Sequence, residues 1–382
     1  MSDPKRILTT HCGSLPRPHD LLDAMKAKLA GEPTDEDAYE AIVAKAIGET
    51  VRMQADSGLD IVADGELSKP GFFTYVRQRL NGFEGRPGAV ADLFPAEVAA
   101  FPEYYAEYFK RAMGGGGVAP TSPVFCVGSV SYKGQDAIRA DLARLKSTLN
   151  GVAYEAAFVP AVAPSGCGTN EYYKTEEDFF HAVGEALREE YLAIVEAGFQ
   201  LQVDDPFLCD IYADPALDQK GRNKRAAMYV EAINHSIRGI PSEKIRFHTC
   251  YGINEGPRIH EAALSDVVHH MLAVNAGAYS FEAANCRHEH EYHLWESVTL
   301  PEGKKLLPGV ITHASNIVEH PELIAERLTR FAERVGKENV IASADCGFSS
   351  QASYKTEVHP TVIWEKFKAM AEGARLASKK LW

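Results

Sequence analysis

The chain has 382 residues, of which 45% are apolar and 24% are charged, and its net charge is −13. This composition is typical of a globular protein with a large core, and the acidic balance excludes nucleic acid and anionic membrane surfaces as partners. The seven cysteines are too sparse for a disulfide scaffold, and no apolar run could span a bilayer. Because the first residues also lack an apolar leader, we predict a cytoplasmic protein with reduced thiols that acts on small molecules.

Short β-branched or apolar runs alternate with longer amphipathic segments along the chain. The predicted strands are 6–10, 60–63, 124–130, 156–162, 199–203, 244–248, 278–281, 307–311 and 340–343. The predicted helices are 35–57, 135–149, 176–197, 220–237, 257–274, 321–335 and 361–376. This alternation predicts a parallel sheet with helical crossovers, and we interpret residues 1–382 as one catalytic domain with a single (β/α)8 TIM barrel. A doubly wound open sheet is the alternative.

One strand exceeds the eight that a barrel needs, and 124–130 is the best candidate for a strand outside it. It follows residues 81–123, which break the alternation with glycines, prolines and an aromatic group. Long insertions in compact domains are usually functional or flexible. We interpret this insertion as a lid or as a contact in a homo-oligomer, with a surface excursion that packs its own aromatic residues as the alternative.

Polar or metal-competent residues follow nearly every predicted strand. They are His11, Cys12, Ser14, Asp64, Glu66, Ser165, Asp204, Asp205, His248, Cys250, Glu282, His313, Asp345 and Cys346. In a barrel of parallel strands these ends converge on one rim, so the rim is predicted to be the site.

The segment around His248 and Cys250 predicts a metal centre. Residues two apart in a strand point to the same face, so this imidazole and thiol would lie side by side. Such ligands suit zinc, and the later strand ends at Glu282 and Cys346 offer two more. The alternative is that His248 is a hydrogen-bonded core histidine and the cysteines are small buried apolar residues.

An ordered set of motifs resembles the catalytic barrel of the cobalamin-independent methionine synthases. The motifs are GSLPR at 13–17, DGE at 64–66, QVDDP at 202–206, HTC at 248–250, SFE at 280–282, GVITH at 309–313 and DCG at 345–347. The resemblance implies a single-barrel methyltransferase that moves a methyl group, from a methyl-folate, to homocysteine and makes methionine. It also implies four zinc ligands: His248, Cys250, Glu282 and Cys346.

The same resemblance implies roles for four other residues. Glu66 and Asp204 would bind the amino group of homocysteine, and Ser14 would help to fix its carboxylate. His313 would act as the acid near the transferred methyl group. Two carboxylates near a buried ammonium form charge-assisted hydrogen bonds, and a leaving amine nitrogen needs a proton, so these roles are chemically consistent.

Three departures from the family pattern concern the methyl donor. The chain has one barrel where longer relatives have two, Asp205 replaces a glutamate, and residues 67–73 lack the usual arginine-containing continuation. An epoxyalkane:coenzyme M transferase is therefore an alternative, in which Arg17 or Lys69 would bind a sulfonate. A metal-free enzyme like uroporphyrinogen decarboxylase and a non-catalytic binding protein represent other classes.

Two further patterns have plain interpretations. The run CRHEHEYH at 286–293 is rich in metal-competent side chains, but such clusters are usually solvated, and we predict no second metal there. The tryptophans at 295, 364 and 382 could stack on a pterin ring, but packing in the core or on the surface is the preferred interpretation.

Overall fold

The main sheet of this protein is parallel and has seven strands. The computed structural model describes residues 5–86, 94–110, 116–118, 123–252 and 256–382. Its strands are β1 Ile61–Val62, β2 Leu80–Gly85, β3 Val124–Tyr132, β4 Ala156–Val162, β5 Thr169–Asn170, β6 Gln200–Asp204, β7 Ile245–His248, β8 Ala278–Phe281, β9 Lys305–Ile311 and β10 Ser343–Ala344. The main sheet has the order β1, β4, β6, β7, β8, β9, β10. Neighbouring strands in this order follow one another in the chain once β2, β3 and β5 are set aside.

The segment around Thr9 closes this sheet into a barrel. Thr9 forms a parallel bridge with Ala342, and the backbone N–H of Thr10 donates to the Ala342 carbonyl at 2.8 Å. On its other side, the Thr9 carbonyl accepts from the N–H of Ile61 at 3.0 Å. This segment takes the eighth strand position, so the predicted (β/α)8 TIM barrel is confirmed and the open doubly wound sheet is wrong.

Helices connect the strands on the outside of the barrel. They are α1 His19–Leu29, α2 Glu36–Asp56, α3 Val76–Arg79, α4 Pro95–Ala100, α5 Pro102–Tyr108, α6 Gln135–Thr148, α7 Glu176–Glu196, α8 Phe207–Ala213, α9 Gln219–Ser236, α10 Leu264–Ala273, α11 Pro321–Val335 and α12 Pro360–Leu381. Side chains of Asp35, Thr175 and Asp218 cap α2, α7 and α9 by accepting from backbone N–H groups of the first turn.

The predicted helix 257–274 is wrong at its start, because α10 begins only at Leu264. The backbone N–H groups of Ile259 and His260 donate to the carboxylate of Glu97, and Ala263 is extended. The carboxylate of Glu97, which is distant in sequence, therefore accepts hydrogen bonds from backbone N–H groups that would point elsewhere in a helical turn.

The strand β3 lies outside the barrel, as predicted for the surplus strand. It pairs antiparallel with β2 and parallel with β5 in a separate three-stranded sheet. Helices α4 and α5 lie between β2 and β3, and the Tyr108 hydroxyl donates to Glu357 at 2.7 Å. The excursion thus reaches the loop after β10. The rest of the predicted insertion, residues 87–93, 111–115 and 119–122, lies outside the described residues.

Apolar side chains fill the barrel below the rim. Ile61, Phe158, Leu307 and Ile341 form a buried cluster there. The guanidinium of Arg246 lies 3.8 Å from the centroid of the Phe158 ring, between this cluster and the strand ends. The polar residues at the strand ends therefore lie above a closely packed apolar cluster.

Candidate metal centre and substrate cavity

A buried cavity lies at the carboxyl ends of the barrel strands, the face that carries the active site in barrels of this type. It has about 390 Å³ of empty space. Its lining residues are Cys12, Ser14, Glu66, Phe72, Asp204, Pro206, His248, Cys250, Gly252, Cys346, Gly347 and Ser350. The strand ends thus bring together residues from the whole length of the chain.

Two cysteines and one histidine form a tight group in this cavity. The ligand atoms of His248, Cys250 and Cys346 lie within 4.8 Å of one another, and the two sulfur atoms are 3.2 Å apart. The Nδ1 atom of His248 lies 3.1 Å from the Ser280 hydroxyl, whereas its Nε2 has no hydrogen-bond partner within the described residues. A buried unpaired nitrogen beside two thiols fits a borderline-soft ion such as zinc.

The surroundings keep His248 and Cys346 uncharged in the absence of a cation. Burial and the nearby charge of Arg246 lower the pKa of His248 to about 3, so the imidazole keeps a lone pair for a ligand bond. The adjacent Cys250 thiol and burial raise the pKa of Cys346 well above its usual value. Since a bound cation favours thiolates, metal binding here would release protons.

Glu282 lies in a neighbouring buried group with His313 and Asp345, whose ligand atoms are also within 4.8 Å of one another. Its Oε1 accepts from the backbone N–H of Tyr251 at 2.8 Å, and its Oε2 accepts from the Asn285 amide at 2.7 Å. Three of the four predicted zinc ligands therefore form one group, and the fourth is hydrogen-bonded in the adjacent one.

His313 is buried, and neither ring nitrogen forms a hydrogen bond of normal geometry with the described residues, although the backbone of Gly252 lies near the ring. Burial lowers its pKa to about 4, while the carboxylate of Asp345 acts in the opposite direction. A buried imidazole without well-formed hydrogen bonds has unused capacity to donate and to accept, which suits a proton-transferring group.

Asp345 holds the loop that follows β8. Its Oδ1 accepts from the backbone N–H groups of Ala283 and Ala284, both at 2.7 Å, and its Oδ2 accepts from that of Asn285 at 3.0 Å. A Cβ atom at Gly309 would lie 2.0 Å from Asp345 Oδ1, so only glycine permits this approach. The sequence pattern marked Asp345 as a rim residue, but its positioning role depends on these contacts.

Two buried carboxylates, Glu66 and Asp204, line the cavity. Glu66 lies 3.1 Å from the Lys69 ammonium, and Asp204 accepts from the Gln202 amide at 2.9 Å. Burial and the charge of Glu66 raise the pKa of Asp204 well above its usual value. Lys69 and the more distant Arg246 only partly offset the two carboxylates, since the pKa of Asp204 stays raised, and an ammonium group of a substrate would favour the charged form of the pair.

Glu66 adopts a left-handed backbone conformation, with φ of 56°, which is unfavourable for a residue other than glycine. Arg17 holds this turn by donating from Nη2 to the carbonyls of Glu66 and Lys69, both at 2.7 Å. Its Nη1 donates to the Ser349 carbonyl at 3.0 Å. Strained residues of this kind concentrate at functional sites, where surrounding contacts hold them.

Ser14 is buried where the first loop meets the loop after β10. Its carbonyl accepts from the backbone N–H of Phe348 at 2.9 Å. A Cβ atom at Gly347 would lie 2.0 Å from the Ser14 hydroxyl oxygen, so this glycine permits the close approach.

A larger aromatic cleft adjoins the cavity and has about 1070 Å³ of empty space. The two share four lining residues, Phe72, Pro206, Gly252 and Ser350. Five of the twelve remaining lining residues are aromatic, namely Phe73, Phe94, Tyr108, Phe207 and Phe348. Phe94 and Tyr108 come from the excursion, which therefore contributes to this cleft.

Comparison with known families identifies the chain. Residues 170–364, just over half of its length, match the model of the cobalamin-independent synthase catalytic domain. The chain belongs to the cobalamin-independent methionine synthase family. The predicted family and the prediction of a methyltransferase of this type are both confirmed.

Relatives in this family cover nearly the whole chain. A methionine synthase from Sulfolobus acidocaldarius is 25% identical over 354 residues, which are 91% of this chain and 87% of the relative. One from Saccharolobus islandicus is 23% identical over 378 residues, which are 98% and 95% of the two chains. The structure of a B12-independent methionine synthase from Shewanella sp. W3-18-1 superposes with a TM-score of 0.74 at 20% identity, and covers 98% of this chain and 99% of its own.

Within this family member, six of the eight predicted site residues line one cavity: Ser14, Glu66, Asp204, His248, Cys250 and Cys346. Glu282 and His313 lie in the adjacent group. For Glu66, a salt bridge to a barrel lysine or arginine is the structural alternative to a substrate contact, and Glu66 forms such a pair with Lys69. Sequence reasoning assigns no role to Asn285. Hydrogen-bond partners of this kind have no signature in spacing.

Four expectations concern other properties of this family member. Trp295 is buried against Phe281, with ring centroids 5.8 Å apart, as preferred for a core residue. No helix in the described ranges combines the length and apolar character needed to cross a membrane. The cytoplasmic location and a homo-oligomer stay predictions.

Proposed function

We propose that this protein transfers a methyl group to the thiol of homocysteine and so makes methionine. The observation that carries the proposal is one cavity in which two thiols and an unpaired imidazole nitrogen lie with two buried carboxylates. This combination suits a substrate that has both a thiol and an ammonium group. The Shewanella relative was solved in complex with selenomethionine, a ligand of the same chemical class as the proposed product.

We propose zinc as the cofactor, held by His248, Cys250 and Cys346, with Glu282 as the fourth ligand. Bound zinc would stabilise the thiolate of the substrate at neutral pH. Glu282 already accepts hydrogen bonds from Tyr251 and Asn285, so its oxygens are held close to this group by neutral donors. We therefore expect Glu282 to be the most easily released ligand when a thiol arrives.

The carboxylates of Glu66 and Asp204 would bind the ammonium group of homocysteine, and Ser14 would help to fix its carboxylate. Burial and, after it, the charge of Glu66 raise the pKa of Asp204, and an incoming ammonium would offset both, so binding favours the charged form of this residue.

The alternative substrate coenzyme M fits less well. Its sulfonate would need a free cation, but Arg17 donates to three backbone carbonyls, and Lys69 contacts both Glu66 and the Pro160 carbonyl. The cations proposed for that substrate are therefore already in use.

The aromatic cleft beside the cavity supports a flat-ringed donor, for which we propose a methyl-folate. As the S–CH₃ bond forms and the N–CH₃ bond breaks, the electron pair stays on the donor nitrogen, which takes up a proton. His313 would deliver this proton, and the nearby carboxylate of Asp345 would stabilise the imidazolium before transfer. We propose that residues 1–382 carry out this reaction as one catalytic domain.

A thiol panel tests the proposal. Zinc-loaded protein is titrated with homocysteine, coenzyme M and cysteine while proton release and zinc–sulfur coordination are followed, the latter by X-ray absorption. We expect homocysteine alone to add a sulfur to the zinc shell, with release of about one proton per site. Binding of coenzyme M instead would overturn the choice of substrate, and binding of no thiol would favour a metal-free enzyme or a binding protein.

Cysteine variants test the metal centre with a matched control. Cys346→Ser should keep less than about a tenth of the zinc, because a hydroxyl is a poor ligand for this ion. Cys286→Ser changes an exposed cysteine and should keep all of it. Full zinc content in Cys346→Ser would contradict the assignment.

A further inference from the structure

The run at 286–293 contains a buried histidine that the proposed reaction does not use. His288 is only 3% exposed, and its ring stacks on that of Tyr251 with centroids 3.9 Å apart and planes 5° from parallel. Its Nε2 lies 2.9 Å from a Glu261 oxygen, and its Nδ1 lies 3.0 Å from a Glu291 oxygen. A neutral imidazole has only one N–H, so ionised carboxylates at both nitrogens are best satisfied by an imidazolium.

Tyr251 connects this histidine to the candidate metal centre. It follows Cys250 directly, and its backbone N–H donates to Glu282 Oε1 at 2.8 Å. Its carbonyl accepts from Arg258. The position of the Tyr251 peptide therefore affects two proposed zinc ligands. Cys250 is its neighbour in the chain, and Glu282 accepts its N–H.

The carboxylate of Glu261 contacts three cationic side chains near Tyr251. Besides His288, it contacts Arg258 Nε at 2.9 Å and Arg287 Nε at 3.2 Å. Arg287 in turn has its Nη2 at 3.7 Å from Glu282 Oε2. Although burial lowers it, the two carboxylates raise the pKa of His288 to about 9, consistent with a charged ring. The group is buried, so these interactions are weakly screened by solvent.

We propose that His288 is a positioning residue, an imidazolium fixed between Glu261 and Glu291 that holds Tyr251 and thereby the carboxylate of Glu282. This inference rests on the proposed function for its effect on zinc, since it gives Glu282 a place beside that ion. Residues that orient metal ligands in this way typically change metal affinity by about 10- to 100-fold when they are replaced. Their loss leaves the ligands themselves intact.

The first test needs no metal. His288→Phe keeps a ring that can stack on Tyr251 but removes both nitrogens. We expect the Tyr251 amide, which is bonded to Glu282, to exchange with deuterium about tenfold faster in this variant. His293→Phe is the matched control, because His293 is exposed in the same segment and also contacts a glutamate, Glu296, at 2.8 Å. Exchange should be unchanged there.

The second test measures zinc affinity by competition with a chelator. His288→Phe should bind zinc about tenfold more weakly than wild type, and His288→Arg, whose planar cation can lie between the same carboxylates, should recover part of the loss. Wild-type values for both exchange and affinity in His288→Phe would overturn the proposal. If that variant does not fold, Glu291→Gln removes one carboxylate at nearly constant size and undergoes the same two measurements with the same criteria.

The two proposals can fail separately. If wild-type protein binds zinc and homocysteine but His288→Phe leaves Tyr251 exchange and zinc affinity unchanged, the positioning role is wrong and the proposed function stands. If wild-type protein binds no zinc, the proposed function fails, and amide exchange in the metal-free protein still decides whether His288 holds Tyr251.

Discussion

The layer between the barrel wall and its helices and the carboxyl rim both bury polar side chains, but they pair them differently. Against the helices, His11 has a partner on each ring nitrogen, with Nε2 at 2.8 Å from the Gln54 oxygen of α2 and Nδ1 accepting from Gly13 N–H at 3.1 Å. At the rim, His313 is equally buried, but neither ring nitrogen forms a hydrogen bond of normal geometry with the described residues, and the backbone of Gly252 only lies near the ring. Both rings have a lowered pKa, so the difference is one of hydrogen bonding.

Buried carboxylates show the same contrast. Glu190, outside the barrel wall, accepts from the hydroxyls of Tyr75 and Tyr132 at 2.9 and 2.6 Å and from Arg79 at 3.1 Å. Asp204 at the rim accepts from the Gln202 amide and faces the charge of Glu66. Unpaired buried groups cost stability, so their concentration at the rim indicates a place that a ligand completes.

Replacing His313 should give the largest effect on turnover. His313→Asn removes the proposed proton donor, and kcat should fall by about 10²- to 10⁴-fold while zinc content stays at the wild-type level. His11→Asn is the control, because it should lower stability without a comparable loss of kcat in the folded protein. Steady-state kinetics with zinc analysis measures this, and full activity in His313→Asn would remove the acid role.

Amide substitutions compare the two kinds of carboxylate. Asp204→Asn should raise the KM for homocysteine by about 10- to 100-fold, the value of one charge-assisted hydrogen bond, with little loss of stability. Glu190→Gln should leave KM unchanged and lower the free energy of unfolding by about 3 kcal/mol, because the buried Arg79 loses one of its two carboxylate partners and keeps only Asp141. If Glu190→Gln raised the KM for homocysteine and Asp204→Asn did not, our assignment of Asp204 to substrate binding and of Glu190 to stability would be wrong.

The pH dependence of stability should reveal the buried imidazole of His11. Burial lowers the pKa of His11 from 6.5 to about 3, so between these values the unfolded chain binds a proton that the folded chain does not. Stability therefore falls as the pH decreases through this window, and His11 alone should contribute about 2 kcal/mol of loss between pH 7 and pH 5. In urea unfolding, the loss of stability of His11→Asn between pH 7 and pH 5 should be smaller than that of the wild type by about 2 kcal/mol. An identical loss in the variant would mean that His11 does not control this dependence.

The barrel and the clustering of the candidate site residues could be predicted because both depend on local patterns. Alternating strands and helices predicted the barrel, and strand ends with polar residues predicted the rim. The spacing of His248 and Cys250 also sufficed to predict neighbouring side chains, since alternate residues of an extended segment share a face.

The contacts that the sequence left open join residues distant in the chain. The separate position of Glu282 depends on hydrogen bonds from Tyr251 and Asn285, and the late start of α10 depends on Glu97. His288 was interpreted as part of a solvated cluster, yet it is buried, because Glu261 and Glu291 compensate its charge. Such pairings follow from tertiary geometry and have no local pattern.

The closure of the barrel through Thr9 and Ala342 also sets the order in which the site can form. The first loop and the loop after β10 are joined across 332 residues by the hydrogen bond from Arg17 to Ser349. During synthesis, Ser14 and Arg17 therefore lack their contacts with Phe348 and Ser349 until nearly the whole chain has left the ribosome. Long-range contacts of this kind slow folding, so the growing chain carries an incomplete barrel with exposed strand edges for most of its synthesis.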